Sequence, residues 1–123
     1  MTGYEIVERA LVLLNYTTPQ GDTDNGLNAE HLRRGLTILN TVLADLLNIA
    51  GAKLCELKDL QEEVPLEENV ANLAAVPGVA MYLAQSENDG DSFNRWSDIY
   101  VQRRRMAAQK HGTVRDTVPW PIG

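Results

Sequence analysis

Cysteine and long apolar runs are scarce in this sequence, and each scarcity excludes a class of protein. Cys55 is the only cysteine, so the chain forms no internal disulfide and fits a reducing compartment, where we expect Cys55 to be a small buried apolar residue. No stretch approaches about 20 consecutive apolar residues, the length that spans a bilayer. The first residues lack the basic region and apolar run of a secretory signal. The sequence therefore predicts a cytosolic protein without a membrane span.

Residues that carry chemistry are equally few. The two histidines, His31 and His111, fall at the ends of predicted helices, where we expect a surface or capping role and not catalysis. Turn and capping roles explain Asp89 and Asp91 in the same way. The sequence has no glycine-rich phosphate loop, no nucleophile elbow and no ligand spacing for zinc. We therefore expect no enzyme activity, no cofactor and no metal site.

Charge is distributed unevenly along the chain, whose net charge is -6. Residues 1–94 contain five Lys/Arg and fifteen Asp/Glu, a balance of -10. Residues 95–123 contain six Lys/Arg and two Asp/Glu, a balance of +4. An acidic body with a basic C-terminal quarter suggests head-to-tail stacking between copies, or a polyanion that only this end contacts. The acidic body argues against wrapping nucleic acid.

The 123 residues fit one domain, and their apolar pattern predicts helices. The first helix is predicted from Gly3 to Leu14, where a capping box between Thr2 and Glu5 would satisfy two backbone N–H groups. Residues 17–26, rich in glycine and aspartate, are predicted to form a loop.

The second helix is predicted from an apolar seam with 4-3-4-3-4 spacing. Asn28 is its expected N-cap and Gly51 its expected left-handed stop. Residues 52–66 are predicted to be an irregular or extended connector with room for a short strand. The seam favours packing in the interior, with packing against a neighbour as the alternative, and consists of Leu32, Leu36, Leu39, Leu43, Leu46 and Ala50.

Two further helices complete the predicted bundle. One covers residues 68–87 and should kink or split at Pro77-Gly78, because proline removes a helical hydrogen bond. The other covers residues 92–111 and should stop at Gly112. The prediction is an all-α fold, a compact bundle of about four helices over residues 1–112.

An apolar segment follows the bundle at residues 113–123. Its two prolines forbid a helix, so we predict an extended C-terminal tail. A tail with this many apolar side chains is unfavourable in water and should fold back on its own core or dock on another subunit. The side chains predicted to dock are Val114, Val118, Trp120 and Ile122.

The last predicted helix ends in a run of basic residues. Arg103, Arg104 and Arg105 are either a solvated helix end that complements the helix dipole or a contact to an acidic partner or DNA phosphate. Three consecutive arginines point in three directions around a helix, so one or two of them can contact a given partner. Lys110 and Arg115 extend the same basic region.

The order of these elements resembles the small head-to-tail connector proteins of tailed bacteriophages and prophages, also called head completion or tail accessory proteins. The resemblance covers nearly the whole chain and rests on four segments, with Pro77-Gly78 and a shorter tail as departures. The segments are the leucine-rich helix 32–50, the connector ending in Val64-Pro65-Leu66, the helix around Val79-Ala80-Met81-Tyr82-Leu83-Ala84, and the sequence Phe93-Asn94-Arg95-Trp96 with Tyr100, Arg103 and the tail.

The resemblance implies a structural subunit that joins the portal to the tail. Family members form rings, commonly of twelve subunits, around the DNA exit channel, in some cases only on the portal. The tail would then dock on the portal or a neighbouring subunit, and the basic residues would contact an acidic portal rim or passing DNA without sequence specificity. The implied location is the bacterial cytoplasm during assembly and then the head–tail junction of the virion. The alternative is a stand-alone cytosolic helical module that binds a partner peptide or helix.

Overall fold

The computed structural model describes residues 1–16 and 26–108, and the side chains of all of these except 26–28. These ranges contain six named helical elements, five α-helices and one π-helical segment. The described ranges contain no β-strand, and one isolated bridge pairs Thr2 with Glu63. The predicted all-α bundle is confirmed, and residues 113–123 lie outside the described residues. The elements are α1 (Gly3–Leu14), α2 (Gly26–Ala50), α3 (Glu68–Val70), a π-helical segment (Ala71–Ala75), α4 (Val76–Ser86) and α5 (Gly90–Arg103).

Helix α1 begins and packs as its sequence predicts. The Glu5 backbone N–H donates to Thr2 Oγ1 at 3.2 Å, and the Thr2 N–H donates to Glu5 Oε1 at 2.9 Å, which completes the capping box. Asn15 ends the helix in the left-handed conformation, with φ 61°. The core-facing stripe is fully buried and consists of Ile6, Val7, Ala10, Leu11 and Leu14.

The apolar seam of α2 lies in the interior of the chain. Leu39, Leu43 and Leu46 are 0% exposed, so the predicted interior packing is confirmed. The expected N-cap at Asn28 is wrong, because the helix already begins at Gly26. Gly51 stops the helix with φ +72°, as predicted.

The connector between α2 and α3 is irregular, as predicted. Asn40 holds it to α2, since its side chain accepts from the Leu57 N–H at 2.8 Å and donates to the Leu57 carbonyl at 3.0 Å. The expectation that Cys55 is buried is wrong: its side chain is exposed. The connector buries Leu57, at 3% exposure, and Val64, at 5% exposure, in place of Cys55.

The proline in the third helical stretch is accommodated by a change in hydrogen bonding before it. The π-helical segment Ala71–Ala75 separates α3 from α4, and Pro77 is the second residue of α4. Proline has no N–H to donate, and its ring clashes with the carbonyl four residues back. A π-turn pairs residues five apart and so relieves both problems. The predicted interruption is therefore present one turn before Pro77, and the helix continues through Gly78.

Helix α5 begins two residues earlier than predicted and is interrupted after Arg103. Asp89 caps it by accepting from the Ser92 N–H at 3.2 Å, which confirms the capping role. Arg104 and Arg105 form a turn, where the Ala107 N–H donates to the Arg104 carbonyl at 3.2 Å, and residues 106–108 are helical again with Ala107 buried in the core. The predicted end near His111 and the stop at Gly112 lie outside the described residues.

The core lies between α4 and the helices on either side of it. Helix α4 is buried at eight of its eleven residues and contacts α1, α2 and α5. Its central position explains its mostly apolar sequence, because a helix surrounded by other helices has no solvent face to make polar. None of the helices in the described ranges combines the length and apolar character that crossing a bilayer requires.

Candidate docking groove

An open groove of about 560 Å³ runs along the side of the bundle between α1 and α5, with the π-helical segment and the start of α4 as its floor. This volume lies within the range of about 300–1,000 Å³ that is usual for binding clefts. The residues that line it are mostly apolar: Glu8, Arg9, Val12, Leu13, Asn72, Leu73, Val76, Pro77, Trp96, Ile99 and Arg103.

The groove concentrates apolar side chains that the fold leaves in water. Val12 is 56% exposed, Leu13 is 41% exposed and Leu73 is 38% exposed. In the described part of the chain, five large apolar side chains are exposed, and these three line the same groove. Single exposed apolar residues are ordinary, whereas a cluster of them around a concave surface indicates a binding site.

Trp96 lines the groove with its ring and buries its polar atom. Its indole Nε1 is buried and has no hydrogen-bond partner among the described residues. An indole nitrogen can only donate, and a buried donor without an acceptor costs about 1–3 kcal/mol. Because this nitrogen is shielded from the groove, Trp96 offers a ligand only apolar surface.

Two arginines fix the rim of the groove. Arg9 Nη1 donates to Asn72 Oδ1 at 2.8 Å, which ties α1 to the π-helical segment. Arg103 Nη1 donates to the Leu73 carbonyl at 3.3 Å, which ties the end of α5 to the same segment. Carbonyls in a π-turn lack the regular α-helical donor, so an arginine is a suitable partner there. These contacts hold the groove open between α1 and α5.

The basic run at the end of α5 divides between the surface and the bundle. Arg103 and Arg105 are exposed, and Arg103 lines the groove. Arg104 is turned inward: its Nε and Nη2 donate to the Asp45 carboxylate at 2.9 and 2.5 Å. Of the three arginines predicted to contact a partner or DNA, Arg103 and Arg105 are exposed enough to do so. Arg104 is instead bonded to a carboxylate of the same chain.

Asp45 also joins α5 to α2 through Tyr100. The Tyr100 hydroxyl donates to Asp45 Oδ2 at 2.5 Å. The hydrogen bonds from Arg104 in the first place, and from Tyr100 after it, hold the pKa of Asp45 below its usual value of 3.8. Burial is the main reason why the pKa of Tyr100 is raised, and its bond to Asp45 adds to this. At neutral pH Asp45 is therefore a carboxylate and Tyr100 a neutral phenol, which are the forms that accept and donate the hydrogen bond between α2 and α5.

A polar cluster joins the end of α1 to α2 and to the turn before α5. His31 is 6% exposed, so the surface role expected for it is wrong. Its ring stacks on Tyr16 with centroids 5.7 Å apart, and its Nε2 lies 3.3 Å from Glu87 Oε2. The Tyr16 hydroxyl donates to Asp89 Oδ2 at 3.0 Å, and burial raises the pKa of Tyr16 to about 12. We read the cluster as structural because each member bonds to another element of the same bundle.

Most of the docking residues predicted from the sequence lie outside the described residues. These are Val114, Val118, Trp120 and Ile122 of the tail, with Lys110, Arg115 and His111 before and among them. The sequence pattern did not predict the groove. The sequence of α1 does contain one indication of a binding surface, because Val12 and Leu13 are apolar but fall outside the core-facing stripe of α1.

The described residues contain no group of three or more His, Cys, Asp or Glu side chains placed to hold a metal ion. No model of a known protein family matches the chain, and neither a curated protein nor a solved structure is significantly similar to it.

Proposed function

We propose that the chain is a structural subunit of the head-to-tail connector of a tailed bacteriophage or prophage. Copies of it would form a ring under the portal, around the channel through which DNA passes. The bacterial cytoplasm during assembly, and then the head–tail junction of the virion, would be its locations. The proposal rests on the resemblance of the sequence to such proteins and on an all-helical bundle with a docking surface.

The observation that supports the proposal best is the placement of the groove at the end of α5. Arg103 lines the groove, so a basic contact group lies at the end of the apolar surface, and Arg105 is a second exposed arginine two positions further along the chain. The tail follows α5 in the chain. A subunit that must contact both a neighbour and a portal needs such a combination, since apolar anchors supply affinity and charges orient the partners.

The roles of the residues follow from this arrangement. The tail side chains Val114, Val118, Trp120 and Ile122 would insert into a groove on the portal or on a neighbouring subunit. Arg103 and Arg105, with Lys110 and Arg115, would contact an acidic portal rim or passing DNA phosphate. The acidic residues of the body would repel DNA, so that the channel does not grip it.

Co-sedimentation with the portal ring encoded beside this protein tests the proposal. We expect stoichiometric binding of the wild-type chain, and loss of binding when residues 113–123 are deleted. R103E/R105E should weaken binding at least tenfold, because two contacts to an acidic surface become repulsive. The matched control is R33E/R95E, which makes the same charge change at two other exposed positions. Wild-type protein that fails to bind the portal would refute the connector function.

The second candidate is a helical module that binds one partner peptide or helix in the cytosol. The groove favours it, because an apolar cleft of this size suits a short segment with two or three apolar anchors. A chain that stays monomeric at all concentrations, ignores the portal and captures a helical peptide would establish the module in place of the connector.

A further inference from the structure

We propose that the groove between α1 and α5 receives the C-terminal tail, residues 113–123, of a second copy of this chain. The inference rests on the proposed function and deepens it, because it identifies the neighbouring subunit as the partner of the tail. It assigns a receiving surface to Val12, Leu13, Leu73 and Trp96, and it makes the contact between copies head-to-tail.

The chemistry of the tail suits the groove. Val118-Pro119-Trp120-Pro121-Ile122 is an apolar stretch in which two of five residues have no backbone N–H. Buried in an apolar groove, such a segment leaves few donors unsatisfied, while each residue still offers a carbonyl acceptor. Prolines also restrict the free tail, so docking costs less conformational entropy than it would for a flexible peptide.

Charge favours a contact between copies as well. Residues 1–94 have a balance of -10 and residues 95–123 a balance of +4, so the C-terminal end of one copy is attracted to the body of another. The charged residues of the groove itself are mixed, with Glu8 beside Arg9 and Arg103, so the attraction comes from the acidic body as a whole.

The course of the chain after α5 favours a second copy over the tail of the same copy. Arg103 lies at the groove beside Leu73. Four residues later, Ala107 is buried next to Leu47 and Val70, away from the α1 wall that carries Val12 and Leu13. The last described residues of a copy therefore lie outside its own groove.

A head-to-tail contact between copies is heterologous, since the two surfaces that meet are different. Each subunit keeps one free groove and one free tail, so the contact repeats and gives a ring when its rotation closes. The same geometry gives the inference a test that needs no portal.

The experiment measures self-association of the full-length chain by sedimentation velocity over a range of concentrations. V12E/L13E places two charges in the groove, and W120A removes the main anchor of the tail. Each should weaken self-association at least tenfold. The matched control L54E/V101E puts two glutamates at positions that are similarly exposed, 65% and 54%, but outside the groove, and should associate like wild type. Circular dichroism confirms that each variant is folded.

Mixing the two defective variants gives the decisive result. V12E/L13E has an intact tail and W120A has an intact groove, so we expect a mixture to form a 1:1 dimer and nothing larger. A mixture that stays monomeric would overturn the inference, and so would V12E/L13E associating as tightly as wild type. A wild-type monomer whose tail is protected from protease would show that each tail occupies its own groove, which also overturns the contact between copies.

Failure of this inference is distinguishable from failure of the connector function. Self-association with a complementing mixture, but no binding to the portal, would leave the contact between copies standing and refute the connector. Portal binding by a wild-type chain that V12E/L13E does not impair would leave the connector standing and place the tail on the portal.

Discussion

Gly78 illustrates at the scale of one residue how closely α4 and α5 approach. A Cβ at this position would lie 2.7 Å from Tyr100 Cε1, 2.9 Å from Tyr100 Cδ1 and 3.1 Å from Val42 Cγ1. The tyrosine ring cannot move aside freely, because its hydroxyl is bonded to Asp45. The absence of a side chain at Gly78 is therefore what allows Tyr100 to be buried.

We expect G78A to lower the free energy of unfolding by about 1–3 kcal/mol, the usual cost of overpacking a core. Urea denaturation followed by circular dichroism measures this change. G90A is the control, because a Cβ there meets nothing within 4 Å and alanine favours a helix. A G78A protein as stable as wild type would mean that the two helices separate more easily than their packing indicates.

Cys55 provides a second prediction for a single residue. Because its side chain is exposed, we expect a thiol reagent such as DTNB to modify the native protein within a few-fold of the rate in denaturant. C55S should change the free energy of unfolding by less than about 0.5 kcal/mol. Protection of the thiol by a hundredfold or more in the native monomer would contradict the exposed position.

At the scale of elements, the bonds from Asp45 to Tyr100 and Arg104 fasten the end of α5 to α2. D45N keeps the size of the side chain and removes its charge. At neutral pH we expect D45N to be less stable by about 1–2 kcal/mol, the usual loss for hydrogen bonds to a charged group that is partly exposed. Urea denaturation of D45N and wild type at several pH values measures the difference.

The difference should depend on pH with a defined sign. The pKa of Asp45 is lowered in the folded chain from 3.8, so its contribution is complete above pH 3.8 and is lost as the pH falls through the folded pKa. The difference in free energy of unfolding between wild type and D45N should stay constant down to about pH 5 and decrease below pH 3.8. D98N, at an exposed position on α5, is the control. If this difference in free energy of unfolding were the same at pH 3 and pH 7, the charge of Asp45 would contribute nothing to the contact between α2 and α5.

The elements also show what the sequence predicts well. The bounds of α1, the interior seam of α2 and the left-handed Gly51 all follow from local rules, because spacing and caps act within a few residues. The interruption of α5 after Arg103 does not, because there Arg104 bonds to Asp45, which is distant in sequence. Burial of His31 is unpredictable for the same reason: its partners Tyr16 and Glu87 come from other elements.

At the scale of the whole molecule, one apolar core joins all the helices, so the bundle should unfold as a unit. Leu43 lies in the centre of the α2 seam and is 0% exposed. We expect L43A to lower the free energy of unfolding by about 2–5 kcal/mol, the cost of a cavity in a packed core. Circular dichroism and tryptophan fluorescence should report the same shifted midpoint.

L54A is the matched control for L43A, because Leu54 is 65% exposed and should change stability by less than about 0.5 kcal/mol. If circular dichroism and tryptophan fluorescence gave different unfolding midpoints for L43A, the helices would form more than one cooperative unit.

The candidate docking groove is also a feature of the whole molecule. The groove residues come from four helical elements that only the folded core brings together, so the spacing along one helix can show no more than that Val12 and Leu13 lie outside the core-facing stripe.

The π-helical segment Ala71–Ala75 has a consequence for how this chain tolerates insertions and deletions. Successive residues of an α-helix are rotated by about 100° around its axis, so one added residue re-aims everything that follows it. Here the wide turn sets the angular phase between Val70, which faces Leu47 and Ala107, and Gly78, which faces Tyr100. A π-turn takes up one extra residue and keeps the helical turns on either side of it in phase, so deleting one residue of the segment would restore regular hydrogen bonding and leave Gly78 facing Tyr100. The segment is therefore the place in this helical stretch where the loss of one residue changes the packing least.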